Sequence, residues 1–311
     1  MTVPSTSTST RTPPPVDPAY LADVLCRWYR MHRRQLAWRT ASTSPWGVLV
    51  SEVMSQQTPV ARVEPAWRDW MRRWPTPTDL AAATPAEVIT AWGNLGYPRR
   101  ALRLKSAAET IAADHANRVP EDLDQLLALP GIGDYTARAV ACFAHGHNVP
   151  VVDTNVRRVI ARLVKARPLA GNAKKSDLAD AAALLPDDPD TGPVVSVALM
   201  ELGALVCTAA APQCGSCPVA AVCAWVAAGQ PEPDAGELVA AKKRVQKFTG
   251  TDRQVRGKIM AALRGGTASI TDEEISRLWP DGIQLRRCLD SLISDGLAEH
   301  TGGGRYRLPQ Q

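Results

Sequence analysis

Between Ala19 and Trp225 apolar residues recur at intervals of three and four, in Leu21 to Met31, Val48 to Met54, Leu102 to Ile111, Ala137 to Phe143 and Val156 to Leu163. That spacing matches the helical turn, so each stretch predicts an amphipathic helix, and nothing in the span alternates with the two-residue period of a strand. The pattern predicts a mainly α body. Ahead of it a Ser/Thr alternation runs into Pro13-Pro14-Pro15. Residues 1–17 offer too little apolar surface to offset the entropy of ordering and are expected to form a disordered tail.

After Trp225 the periodicity breaks. A segment bearing Pro, Glu, Asp and Gly, about Gly229 to Gly236, and a basic run at Lys242, Lys243, Arg244 and Lys247 read as a linker over residues 227–248. Beyond it, Arg253 to Leu263, Ile270 to Leu278 with its cap Thr271, and Ile283 to Ser294 predict three helices. Leu297 to His300, the turn Gly302-Gly303-Gly304 and Tyr306 to Leu308 predict a β-hairpin. Three helices and a hairpin outline a winged-helix-like domain over 249–311, behind a principal helical domain over 18–226.

A chain of 311 residues with 45% hydrophobic content has enough apolar surface for two cores. Its net charge of +5 gives a mild attraction to polyanions. From Ala241 onward thirteen Lys/Arg face eight Asp/Glu, which favours nucleic-acid contact, although a winged helix serves protein docking equally well. No basic-apolar-small leader and no long apolar run is present, so the chain is expected to be cytoplasmic and nucleoid-associated, with reduced thiols and no membrane partner.

Four of the seven cysteines, Cys207, Cys214, Cys217 and Cys223, stand at the spacing C-x6-C-x2-C-x5-C. Four thiolates in one short loop satisfy a single [4Fe-4S] cluster, whereas structural zinc sites usually draw on two C-x2-C pairs, and only one is present. The spacing favours the cluster over zinc. Cys26, Cys142 and Cys288 lie apart in apolar surroundings and read as core thiols.

Leu129-Pro130-Gly131-Ile132-Gly133 falls between two short helical patterns, Glu121 to Leu127 and Tyr135 to Ala144. Gly131 and Gly133 let the backbone approach a ligand and aim amide groups at a DNA phosphate, although an ordinary helix–helix turn has the same residues. Twenty residues after Gly133 comes Asp153, just before the helical pattern Val156 to Leu163. As an N-cap its carboxylate would accept backbone N–H groups and stay ionised. An ionised carboxylate beside a flipped nucleotide would also stabilise the positive charge that grows on a sugar as its N-glycosidic bond breaks.

Leu129 to Ala137, Val152 to Val156 and the cysteine loop together resemble the helix-hairpin-helix DNA glycosylase superfamily, the endonuclease III relatives. Within it, Ser51-Glu52-Val53-Met54-Ser55-Gln56-Gln57-Thr58 and Leu95-Gly96-Tyr97 resemble the adenine-specific mismatch glycosylases, the MutY type, and the likeness covers about residues 20 to 225. It implies that Glu52 is the general acid that protonates the adenine leaving group, with Val48, Val50, Val53 and Met54 raising its pKa. Asp153 would stabilise the oxocarbenium-like sugar, Tyr135 would position it, and Asn155 would hold its carboxylate. Relatives that cut the strand keep a Schiff-base lysine where this chain has Tyr135, so little or no lyase activity is expected.

By the same resemblance Leu36, Trp38 and Arg39 wall the adenine pocket, although Ala37 replaces the usual proline and one residue is inserted before Glu52. Gln57 and Tyr97 would enter the duplex beside the lesion. Two departures matter. Ser196-Val197 stands where the family often has an Asn-Glu or Asn-Gln pair that touches adenine. Only 88 residues follow Cys223, too few for the pyrophosphohydrolase-like domain that commonly reads 8-oxoguanine. The resemblance implies a monomeric, monofunctional adenine DNA glycosylase acting on duplex DNA with adenine opposite 8-oxoguanine or guanine. A thymine mismatch glycosylase, which shares the Tyr/Asp pair, and a non-enzymatic iron-sulfur DNA-binding regulator remain as alternatives.

Overall fold

The structure is a computed structural model that describes residues 16–242, 248–266 and 269–310. Most of the expected tail, and Lys243, Arg244 and Lys247 of the basic run, lie outside the described residues. Helix starts follow local chemistry. In α1 (Pro18–His32) the Asp17 carboxylate accepts the Ala19 N–H, and in α2 (Pro45–Ser55) the Ser44 hydroxyl accepts the Gly47 N–H. After α3 (Val60–Arg73), capping boxes Thr76/Asp79 and Thr84/Glu87 open α4 (Pro77–Ala82) and α5 (Pro85–Trp92). Then come α6 (Arg99–Asp114), α7 (Leu123–Ala128), α8 (Asp134–His145), α9 (Thr154–Leu163), α10 (Ser176–Ala182), α11 (Gly192–Leu205) and the single turn α12 (Ala224–Ala227).

The segment expected to be a linker contains α13 (Ala235–Lys242). Asp234 Oδ1 accepts the Glu237 N–H at 2.7 Å, so the polar residues that read as a break instead start a helix. The last stretch runs α14 (Asp252–Gly265), β1 (Ile270–Thr271), α15 (Asp272–Ser276), α16 (Gly282–Ser294), β2 (Glu299–Gly302) and β3 (Arg305–Arg307). Thr271 does cap α15, through a capping box with Glu274, but it and Ile270 also pair with β3. The expected hairpin therefore gains a third strand, in the antiparallel order β1-β3-β2.

The chain divides into two compact units, Met1–Gln35 with Ala141–Val245, and Leu36–Val140 with Gln246–Gln311. In the first, Leu21, Leu25 and Trp28 of α1, Val156, Val159, Ile160 and Leu163 of α9, and Val195, Leu199 and Leu202 of α11 form one buried core. Each such side chain contributes about 1.5–3 kcal/mol by leaving water. Glu201 of α11 is fully buried there, its Oε1 accepting the Arg34 N–H at 2.7 Å and Nε at 2.9 Å and its Oε2 accepting Nη2 at 2.8 Å. Those donors make a buried carboxylate tolerable.

In the second unit, Trp70 stacks edge-on against Trp74 and Trp92 at 4.9 and 5.5 Å between ring centroids. The C-terminal module packs Val255, Ile259, Met260 and Leu263 of α14 against Leu285, Leu289 and Leu292 of α16, and this core takes in Ile89 of α5. Apolar burial thus joins the module to the rest of its unit. Cys26, Cys142 and Cys288 are buried thiols. Among the described residues no helix is long and apolar enough to cross a membrane.

Candidate active site and cysteine centre

Glu52 sits half-buried near the end of α2, between buried Ser51 and Val53. The Tyr135 hydroxyl, at the start of α8, donates to Glu52 Oε2 at 3.1 Å. That bond joins the residue the resemblance assigned to positioning to the residue it assigned as the acid. Gln56 Nε2 donates to Thr136 Oγ1 at 3.1 Å, a second link between the end of α2 and the start of α8.

The carbonyls at the C-terminal end of α2 lack helical partners, and one guanidinium supplies them. Arg100 Nη1 donates to Val53 O at 2.8 Å and Gln56 O at 2.7 Å, while Nη2 reaches Thr58 Oγ1 at 3.2 Å and Gly96 O at 3.0 Å. Burial pulls the Arg100 pKa down to about 10, so the group is still charged at neutral pH. Arg100 therefore ties the Glu52 helix to the loop that bears Tyr97.

Gln57 and Tyr97 are both exposed, both hold left-handed backbone (φ 55° and 47°) and both line one cavity of about 750 Å³. Left-handed backbone costs a non-glycine residue about 1–3 kcal/mol when the surroundings enforce it, and such strain gathers at functional sites. Leu36 and Trp38 are buried, with Trp38 edge-on to Trp67 at 5.9 Å, and Arg39 is half-buried. In the hairpin, Gly131 has φ 76°, and a Cβ there would lie 2.6 Å from Arg103 Cβ, so glycine is required. Gly133 O accepts the Ala137 N–H at 2.9 Å, opening α8, and the space beside its Cα is empty.

In the other unit, Asp153 caps α9. Its Oδ1 accepts the Val156 N–H and its Oδ2 accepts Asn155 Nδ2, both at 2.7 Å. Asn155 Oδ1 in turn accepts Arg158 Nη2 at 2.8 Å, and Arg158 also donates to Gly203 O and Cys207 O, each at 2.7 Å. Burial raises the Asp153 pKa above its ordinary value, against the lowering effect of those hydrogen bonds and of the Arg158 charge. The cap bonds predicted an ordinary ionised carboxylate; desolvation is the larger effect. A Cβ on Gly203 would stand 2.7 Å from Asn155 Cβ and 2.8 Å from its carbonyl oxygen, so glycine lets α11 close onto the segment that holds Asp153. Ser196 is buried and its hydroxyl accepts the Val151 N–H at 3.2 Å, a structural role, while Val197 packs against the core.

Cys207, Cys214, Cys217 and Cys223 ring one small cavity beside Arg162, Val206 and Trp225. Burial pushes the Cys217 thiol up to about 11, with the other three thiols adding to it, and raises Cys223 as well. Thiols of that kind become thiolates when a strongly cationic centre sits among them. Four thiols around one small cavity form a donor set that fits a metal centre. Arg162 is nearly buried, donating to Cys207 Sγ at 3.4 Å and Thr208 O at 2.7 Å, with its guanidinium 4.8 Å from the Trp225 ring centroid. Arg100, Arg158 and Arg162 were not singled out from sequence. Only the last two left any trace, as an i, i+4 pair one helical turn beyond Asp153.

Residues 50–181 match the family model described as HhH-GPD superfamily base excision DNA repair protein. The chain is 54% identical to the adenine DNA glycosylase of Mycolicibacterium smegmatis, over 91% of this chain and 94% of that protein. It is 52% identical to the adenine DNA glycosylase of Mycobacterium tuberculosis, over 94% of this chain and 95% of that protein. Among solved structures, a thermostable thymine-DNA glycosylase shares the fold with a TM-score of 0.61 at 24% identity, covering 68% of this chain and 97% of that one. With the capped Asp153, the glycine hairpin and the four-cysteine loop already in place, likeness over nine-tenths of its length puts this chain in the adenine DNA glycosylase family of the HhH-GPD superfamily.

Proposed function

We propose that this protein is a monofunctional glycosylase of base-excision repair, hydrolysing the N-glycosidic bond of adenine mispaired with 8-oxoguanine or guanine and leaving an abasic site. The observation that carries the reading is the pair formed by Glu52 and Tyr135, an acid bonded to a phenol where a strand-cutting enzyme needs an amine. Glu52 delivers its proton to the departing base, and Tyr135 fixes the orientation of its carboxyl. Asp153 faces the positive charge on the sugar once the bond has lengthened. Its negative charge is worth more in a buried setting than in water, and Asn155 holds it in place before the reaction begins.

The thiols Cys207, Cys214, Cys217 and Cys223 would hold a [4Fe-4S] cluster, which when bound closes their loop through four iron–sulfur bonds. Arg162 donates to one of those sulfurs and orients it. Gly131 and Gly133 present hairpin amides to a phosphate. Leu36, Trp38 and Arg39 contribute to the adenine pocket, and Gln57 and Tyr97 enter the duplex. The enzyme acts as a monomer in the cytoplasm, at the nucleoid.

The test is a glycosylase assay on duplexes carrying adenine opposite 8-oxoguanine, guanine and cytosine, with thymine opposite guanine alongside. Adenine release from the first two and no thymine release is the expected outcome. Thymine release, or none of any base, overturns the reading. Borohydride should trap little enzyme on DNA, and a high-yield adduct on a lysine near the hairpin would contradict the monofunctional assignment.

A further inference from the structure

Helix α14 of the C-terminal module and the 93–103 segment line the same 750 Å³ cavity as Gln57 and Tyr97. Among the described residues, seven arginines line it and no carboxylate does. Asp295 nearby pairs with two of them, Arg99 at 3.1 Å and Arg256 at 2.6 Å. The contacts described for the others are neutral. Arg264 Nη2 donates to Asn94 Oδ1 at 3.1 Å, Arg62 to the Asn94 carbonyl, and Arg100 to the carbonyls and hydroxyl already described. Arg253 lies 4.7 Å from the Tyr97 ring centroid and 5.8 Å from that of Phe248. Arg103 lies against Gly131, so the cavity adjoins the hairpin.

Several cations in one concave wall, with too few carboxylates to balance them, attract a polyanion. Planar guanidinium groups favour phosphate, which they bond in pairs. Ile89 packs into the core of α14 and α16, so the wall is held by apolar burial. We propose that this groove binds the sugar–phosphate backbone of duplex DNA beside the excised base, which makes the C-terminal module part of the DNA-binding face. Arg253 has two roles there, meeting phosphate and backing the Tyr97 ring. The proposal rests on the adenine glycosylase reading only in placing the groove beside a lesion.

Gly257 provides the test. It lies in α14 on the groove wall, and a Cβ there meets nothing within 4 Å. Gly257→Glu and Gly257→Lys both favour the helix, so neither is a folding mutation. Binding is measured by titrating labelled duplexes, one undamaged and one with a stable abasic analogue, across a salt series. Gly257→Glu should weaken both by a similar factor, about tenfold near ~0.1 M salt, and Gly257→Lys should steepen the log–log salt slope by about 0.9 for one added phosphate contact. Arg253→Gln should flatten that slope by about 0.9, and Arg253→Lys should preserve it. Wild-type affinity and slope in both Gly257 variants, the result that a groove serving an acidic protein would give, overturns the proposal. Because these duplexes contain no mispaired adenine, failure of the glycosylase assay and failure of the groove are separate results.

Discussion

Replacing Asn155 with Leu removes one donor from Asp153 and one acceptor from Arg158 while keeping a side chain of similar reach. The carboxylate retains the Val156 N–H at 2.7 Å, and Arg158 retains Gly203 O and Cys207 O. A hydrogen bond to a charged group contributes about 1.5–3 kcal/mol, and its loss raises the Asp153 pKa further. The direction adds to what burial has already done. In the proposed mechanism Asp153 is ionised when it faces the cationic sugar, and that form is lost as pH falls through the folded-state pKa. The acid limb of the adenine-release rate should therefore move to higher pH, read in single turnovers across a pH series. Linkage fixes a second sign. A carboxyl whose folded pKa lies above its unfolded value weakens the fold as pH rises through the folded pKa, so the variant should lose more thermal stability at pH 7 than at pH 5. A rate profile that overlays the wild type after a single scaling factor would refute the assigned role of Asn155.

Glu52→Gln should abolish base release and leave duplex binding largely intact, since the amide keeps the shape but has no proton to give; near-normal single-turnover cleavage would count against the acid. Pure protein should be brown with about four irons per chain, and Cys217→Ser should lose iron and visible absorbance. Tetrahedral zinc in its place would make the metal assignment wrong. Gly203→Ala should cost about 1–3 kcal/mol in denaturant unfolding, because the added methyl meets the backbone and Cβ of Asn155 rather than a flexible tip. Unchanged stability with unchanged activity would show that α11 can move away from Asp153.

Features set by neighbours in the chain were legible in the sequence, and those set by distant contacts were not. The cap at Asp153, the capping box at Thr271 and the glycine turn at 131–133 each depend on a few consecutive residues, and each is where the pattern placed it. β1 escaped notice because two residues cannot show an alternation, and α13 because its cap reads as a loop. Tyr135 and Glu52 stand 83 positions apart, so their bond has no local signal. The same holds for Arg100, whose surroundings announce only a turn and a helix start while several of its acceptors lie more than forty residues upstream. The raised pKa of Asp153 comes from burial, which tertiary packing decides.

Arg100 couples two parts of its unit. The helix that holds Glu52 and the loop that holds Tyr97 end on one guanidinium, so neither can shift without the other. Under the proposed function, altering the loop to favour a different opposite base would move the acid too, and selectivity would change together with the rate of bond cleavage. Lysine cannot stand in for Arg100, since three donors on one nitrogen cannot span the acceptors that the planar fork reaches. Opposite-base preference and turnover would then be inherited as one trait.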